Sequence, residues 1–381
     1  MSIQETSSVL NVSRCRQYAP TALLVALGAA ISVAVFFVAY SSERRSIHRE
    51  FASLAEDRLH AIGNIVDDSA RLLQFADNVF LVGPRADSPE FPNYVRSLTT
   101  VIEADLSRHP AVRALTWMPR IPLAERAAYE QAARTVFDPK FQFSKPGTPA
   151  IAGSDQQREE YFPSYLRIAT APNHDRPGKD SSRDPAEWKV MEQARDTGLI
   201  VAGAPMKLSA DSNDRLGYQL FQPLYHGNRG DIASRRQNIA GFLRVDSDIG
   251  ESVAKAFKDI PPVGIDVWIS DETDAQSVPI CLHASRLQSP AVVGEGRVDL
   301  DELESTWTTE FFGRKLLLRC CTTPAFWAGR TIWQPWVLLC GGLVLTLTVA
   351  VYRLSLTFRA RAVERIVATR MAAFCQNVER K

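Results

Sequence analysis

Two long uncharged stretches constrain this chain more than any other feature. Pro20–Tyr40 reads PTALLVALGAAISVAVFFVAY, twenty-one residues without a charge. At about 1.5 Å per residue, a helix of that length crosses the roughly 30 Å hydrocarbon layer of a membrane. Thr331–Tyr352, TIWQPWVLLCGGLVLTLTVAVY, is uncharged too, with Trp333 and Trp336 at one end and Tyr352 at the other. Aromatic rings of that kind belong at membrane interfaces. No small-x-small cleavage pattern precedes Ser41–Arg45, so the first stretch reads as a retained span and not as a signal peptide. Beyond Tyr352 the tail carries Arg353, Arg359, Arg361, Arg365, Arg370, Arg380 and Lys381 against Glu364 and Glu379. That basic bias marks the cytoplasmic side, and two spans return the N-terminus, with Arg14 and Arg16, to it. The expectation is a multi-pass plasma (inner) membrane protein in contact with lipid. It has a cytoplasmic N-terminus over 1–19, spans over 20–40 and 331–352, and a cytoplasmic helix over 353–381. Everything between the spans is extracytoplasmic, or periplasmic.

Residues 41–82 are expected to continue the first span as a stalk helix. Phe51, Leu54, Ile62, Ile65, Leu72, Val79 and Phe80 recur at helical spacing, with Leu59, Val66 and Leu73 filling the stripe. Such a stripe serves as the seam of a homodimer, as a face packed on the domain that follows, or as both. Gly83-Pro84 stops it. Ser88-Pro89-Glu90 and Asp184-Pro185-Ala186-Glu187 each look like helix starts, and Gly198 like a helix end. The stretch 307–321 and segments at Ala111–Trp117, 199–207, 217–225, 239–246 and Val263–Ser270 read as strands. Asp248-x-x-Glu251 caps a helix between two of them. The fold class expected for 83–330 is α+β: tandem PAS-like lobes after a long stalk helix, flanked by two transmembrane helices. In the tail, Val363, Val367, Met371, Phe374 and Val378 step by three and four, the spacing of an interhelical seam.

Catalytic and metal signatures are absent from the sequence. No H-E-x-x-H, G-x-S-x-G, Walker A or G-x-G-x-x-G string occurs, and the six histidines are scattered. Asp246-Ser247-Asp248-Ile249-Gly250 lacks the acidic fifth position of a calcium loop. No metal, no cofactor and no catalytic residue are therefore expected. A tail of twenty-nine residues is too short for a kinase or cyclase domain, so this stretch is not expected to be an enzyme. The net charge of +1 gives no field that would draw nucleic acid. Cys281, Cys320 and Cys321 face the oxidising side, where Cys281 has Cys320 or Cys321 as a disulfide partner if any bridge forms.

Several strings between the spans resemble the CHASE family of extracytoplasmic sensors. Ala111–Arg120, AVRALTWMPR, is similar to the family's strand ending in W-x-P-R. Tyr161-Phe162-Pro163 follows, then Asn173, Gly178 and Asp180. Ala186–Gly198, AEWKVMEQARDTG, resembles the family's helix ending in A-R-x-T-G. Gln222-Pro223-Leu224-Tyr225 and Gly241-Phe242 sit where the family places P-V-Y and G-F. The resemblance spans about 75–300. It implies a stalk with two PAS-like lobes, a small-molecule ligand in the membrane-distal lobe, and a homodimer that signals to a cytoplasmic kinase or cyclase partner. By motif position it implies ligand contacts at Asp180 and Thr197. From the residues alone, Asp180 is equally a solvated turn residue and Thr197 a helix end. Gly203-Ala204-Pro205 departs from the family pattern, so no ligand identity carries over.

Overall fold

In a computed structural model of the protein, the described residues are 3–84, 88–107, 109, 111–143, 159–170, 177–208, 216–287, 303–328, 330 and 332–379; side chains of 3–18, 66–68, 76–78, 81–82 and 372–379 fall outside the description. Expectations placed on Val66, Asn173, Phe374, Val378, Cys15 and Cys375 therefore lie outside the described residues. In chain order the helices and strands begin with α1 (Ile3–Val82), α2 (Phe91–Leu106), β1 (Val112–Pro119), β2 (Ile121–Pro122), α3 (Arg126–Val136), β3 (Glu160–Tyr161) and β4 (Leu166–Ala169). Then come α4 (Pro185–Thr197), β5 (Val201–Ala202), β6 (Met206–Lys207), β7 (Leu216–Tyr225), α5 (Ile232–Asn238), β8 (Ile239–Asp248) and α6 (Ile249–Ala256). The last are β9 (Ile265–Asp271), β10 (Val278–His283), β11 (Glu304–Phe311), β12 (Arg314–Thr322), α7 (Pro324–Ala328) and α8 (Gln334–Glu379).

The chain divides into two compact units, one of Met1–Phe51 with Gly329–Lys381 and one of Ala52–Ala328. The first holds the two helices long and apolar enough to cross a membrane. They approach closely because small residues face each other. A Cβ on Gly28 would lie 2.5 Å from the Thr346 side chain, and one on Gly342 would lie 2.4 Å from Ser32 Oγ. Phe36 packs edge-on against Trp336 at 5.0 Å, and Arg330 pairs with Glu50 at 2.6 Å. The expected second span and tail form one helix, α8, along which Val363, Val367 and Met371 are exposed.

The second unit is built on two antiparallel sheets. The larger has the order β4-β1-β8-β7-β5, with β6 added along β7. Counted within that path, the strands run 2-1-5-4-3, so the first and last lie side by side at the centre of a PAS-like first lobe. The second lobe has the order β10-β9-β12-β11. Along 52–82 the stalk stripe packs on this unit: Ile62, Leu72, Leu73 and Phe80 are buried, and the Phe80 ring lies 5.4 Å from Trp117.

Local chemistry explains most boundaries. The Asp248 carboxylate accepts the Glu251 N–H at 3.0 Å and starts α6. Ser88-Pro89-Glu90 forms a turn instead of the first helical residues. The Ser88 carbonyl takes the Phe91 N–H, and α2 begins two residues later than expected, with Pro92 in its first turn. The stretch 307–321 is two strands rather than one. Phe312 (φ 48°) and Gly313 (φ 84°) make a two-residue turn with both φ positive, the backbone that matches strand twist in a hairpin. The Phe312 carbonyl accepts the Ala202 N–H at 2.9 Å, joining the tip of this hairpin to the first lobe.

The disulfide considered for Cys281 does not form; none of Cys281, Cys320 and Cys321 is bridged. Cys281 on β10 and Cys320 on β12 flank β9, where they pair with Ile269 and Val267. Two strand spacings, roughly 10 Å, exceed the reach of a disulfide. Burial pushes both the Cys281 and Cys320 thiols up to about 12.

Candidate ligand site on the first lobe

The site is built on the face of the larger sheet that α4 covers. Asp184 starts α4 by accepting the Ala186 and Glu187 N–H groups at 2.9 and 3.4 Å. Gly198, at φ 73°, ends it, returning its N–H to the Ala194 carbonyl at 2.8 Å. Between these caps Met191 and Ala194 are fully buried against Met118, Phe162, Val201, Phe221, Tyr225 and Phe242, with Trp188 alongside. Met118 and Phe242 are direct cross-strand partners, which fixes the α4-facing side of β1 and β8.

Side chains alternate along a strand, so the residues two and four positions away share that face. They are polar. Thr116 on β1 is in register with Arg167 on β4 and with Arg244 on β8, giving a cross-strand row Arg167–Thr116–Arg244. Asp246 occupies the next row. Thr116 and Arg244 are fully buried, and Asp246 is 1% exposed. Arg244 Nε lies 3.2 Å from Asp246 Oδ1, and Arg167 Nη2 lies 3.7 Å from Asp246 Oδ2. Thr116 Oγ1 makes no hydrogen bond.

Asp180 stands at the edge of the same aromatic cluster, in the loop before α4. Its Oδ1 is saturated: it accepts the Phe162 N–H at 3.1 Å, the Ser182 N–H at 3.1 Å and the Ser182 hydroxyl at 2.7 Å. Its Oδ2 makes no hydrogen bond, although the residue is only 2% exposed; the Arg183 guanidinium is 3.6 Å away. Ser181 beside it is fully buried with a bare hydroxyl. Phe162, held to this loop by the Ser181 N–H at 3.2 Å, packs at 5.5 Å on both Trp188 and Phe242. Asp180 is thus a buried residue and not a solvated turn.

Thr197 lies elsewhere. It is exposed at the far end of α4, about 18 Å along the helix from Pro185 at 1.5 Å per residue. Its hydroxyl donates to the Gln193 carbonyl at 2.7 Å and accepts the Leu199 N–H at 3.3 Å. That helix end is clamped from outside. Tyr225 donates to the Arg195 carbonyl, and burial pushes its phenol up to about 12. The hydrogen bond from Arg236, helped by Arg195, holds the Asp196 carboxyl well below the usual range. The structure does not bring Asp180 and Thr197 to one site. It brings Asp180 to Ser181, Phe162 and Phe242 instead.

Arg244, Asp246 and Thr116 escape sequence reasoning because GFLRVDSD and AVRALTWMPR read simply as strands. The available signal was a charged residue at alternate positions inside a strand whose other positions are apolar. A concavity of about 560 Å³ lies over the opposite face and is lined by Phe80, Trp117, Arg120, Tyr129 and Glu160 among others. Its principal cation is already spent, since Arg120 pairs with Glu160 at 2.5 Å.

Against this geometry, the sequence profile of the CHASE domain matches residues 85–280, just over half of the chain. The chain belongs to the CHASE family. The matched CHASE region contains all of α4, the Asp180 loop and the Arg167–Thr116–Arg244 row. No curated protein matches the chain. Among solved structures, the extracellular domain of vpHK1S-Z8, assigned as a histidine kinase, is 12% identical with a TM-score of 0.39, covering 78% of this chain and 99% of its own. A domain of a Vibrio parahaemolyticus protein assigned to the sensory box/GGDEF family is 11% identical with a TM-score of 0.37, covering 75% and 99%. A structure described as Methyl-accepting Chemotaxis protein X is 11% identical with a TM-score of 0.32, covering 77% and 99%.

Proposed function

We propose that this CHASE protein is a sensory receptor that binds a small molecule on the α4-covered face of its first lobe and signals across a membrane. The observation that carries the reading is Asp180 Oδ2, a carboxylate oxygen inside a buried loop that accepts no hydrogen bond and has the Arg183 guanidinium 3.6 Å away. A buried polar atom without a hydrogen bond costs on the order of 1–3 kcal/mol; the Arg183 ion pair offsets part of that cost here, and a ligand donor removes more of it. Ligand binding then biases whichever arrangement of α4 and its neighbours completes the site, in proportion to its differential affinity for the two arrangements. The two apolar helices carry the signal, and the exposed Val363, Val367 and Met371 support pairing with a second copy. The chain itself is read as non-catalytic, with output from a cytoplasmic kinase or cyclase partner.

Thermal unfolding of the full chain in detergent against a small-molecule library tests the binding step. A true ligand raises the midpoint in the parent and loses that effect in Asp180→Asn and Ser181→Ala. A stabilising compound whose effect survives both substitutions would place the site elsewhere.

A further inference from the structure

Apart from the α4-covered face, we propose that the concavity on the opposite side of the larger sheet is a separate ligand site, and that it takes a small organic cation: an amine or a quaternary ammonium. Met118 packs toward α4, so Trp117 beside it faces the other way. There it meets Phe80, from the last turn of α1, at 5.4 Å. At about 560 Å³ the concavity falls within the roughly 300–1,000 Å³ of pockets that hold small ligands. Phe80, Trp117 and Tyr129 line it with rings, and Leu224 and Ile239 add apolar surface. Trp117 and Tyr129 are held from behind by buried Tyr165, at 5.8 and 5.4 Å, and the Tyr165 hydroxyl donates to the Tyr129 carbonyl at 2.9 Å. The rings are therefore set in place before any ligand arrives.

The charge of the lining selects the sign of the ligand. Its ionisable side chains are Glu125, Glu159, Glu160, Arg120 and His226. Arg120 is committed: Nε pairs with Glu160 at 2.5 Å and Nη1 donates to the Gln237 carbonyl at 2.9 Å. Three carboxylates thus stand against one guanidinium, and protonating His226 removes only one unit of the excess. An aromatic face carries negative charge as well, and it attracts a cation within about 6 Å, tryptophan most strongly. Geometry then separates an organic cation from a metal ion. Among the described residues, no group of three His, Cys, Asp or Glu converges to hold a metal. A hard metal ion needs six or more oxygen ligands, which rings do not offer, whereas an ammonium is attracted by rings and carboxylates alike. Held there, it touches Phe80 of the stalk and Trp117 of the sheet at once.

The test is titration calorimetry and thermal unfolding of the full chain in a non-ionic detergent at matched ionic strength. Three cations are each compared with a neutral analogue of similar shape: choline with dimethylbutanol, phenethylamine with phenethyl alcohol, and putrescine with butanediol. The expected result is that at least one cation binds saturably and its neutral analogue does not. Trp117→Leu removes the ring but keeps apolar bulk, and should weaken that cation about tenfold. Glu160→Gln releases Arg120 from its carboxylate and should weaken it at least as much. That variant, at a half-buried rim position, keeps the test decisive if Trp117→Leu fails to fold. Asp180→Asn should leave the cation's affinity unchanged. Equal binding of cation and neutral analogue, or no binding of any cation, overturns the inference. If a cation keeps its affinity in Trp117→Leu and Glu160→Gln but loses it in Asp180→Asn, it sits on the α4 face; this inference then falls while the receptor reading stands.

Discussion

Removing the hydroxyl of Tyr218 should loosen the join between the two lobes by a calculable amount. Tyr218 on β7 is fully buried, and its phenol donates to Asp271 Oδ2 on β9 at 2.7 Å. Asp271 is 1% exposed and also takes the Arg314 guanidinium, at 3.2 Å to Oδ1, and the Thr273 N–H at 2.9 Å. Arg314 in turn reaches Asp274 at 2.9 Å. A hydrogen bond to a charged group contributes about 1.5–3 kcal/mol. Tyr218→Phe deletes one oxygen and leaves Asp271 with its remaining partners, so the loss should sit near the low end, about 2 kcal/mol. For a unit of this size that corresponds to a midpoint lower by roughly 4–8 °C. The assay is thermal unfolding of the full chain in detergent followed by near-ultraviolet circular dichroism. The double variant with Arg314→Lys isolates the coupling, because the two side chains share one carboxylate. A loss below about 0.5 kcal/mol, within the range of ordinary surface changes, would refute the claim that this network joins the lobes.

Further outcomes follow from the same geometry. Burial pushes the Asp271 carboxyl up, but hydrogen bonds from Arg314, Thr273 and Tyr218 outweigh it and hold the group at about 2, below its ordinary 3.8. A depressed folded value means that its contribution is present above about pH 4 and lost as pH falls toward 2. The amount is about 2 kcal/mol, read from acid titration of stability in parent and Asp271→Asn chains. Asp184→Ala removes both cap hydrogen bonds of α4 and should cost about 1 kcal/mol in the same unfolding assay. Gly241→Ala should cost about 1–3 kcal/mol or more: φ is 152°, and a Cβ would stand 2.4 Å from the Met118 carbonyl oxygen. A Gly28→Cys, Thr346→Cys pair should cross-link within one chain on oxidation, since a Cβ at 28 lies 3.1 Å from that of Thr346. Absence of the intramolecular bond on gels would show that the two apolar helices do not meet there.

Much of the architecture was legible locally. Asp184 and Asp248 announce their helices because a cap is a contact within three residues, and Gly198 ends α4 for the same reason. The W-x-P-R strand and the A-R-x-T-G helix, read by order and spacing, led to the CHASE family that the profile match shows. The misjudged places involve competition between equally local options or contacts at a distance. Ser88-Pro89-Glu90 satisfies a turn as well as a helix start. β10 and α5 carry too weak a pattern to be separated from loop. Asp180 and Thr197 flank one helix in sequence, yet the helix itself holds them apart.

The sequence by itself determined the two apolar helices, the stalk stripe, the caps and the family, since each depends on periodicity or on neighbours a few residues apart. Only the tertiary structure decided what the buried face of the first lobe contains. Arg167, Thr116 and Arg244 come from strands separated by some fifty and eighty residues of chain. They become neighbours through strand register alone, which long-range pairing sets. The same pairing leaves Cys281 and Cys320 unbridged, because β9 runs between them, and it buries Asp180 against Phe162. Burial gives these polar side chains their meaning, and burial is a property of the assembled sheets.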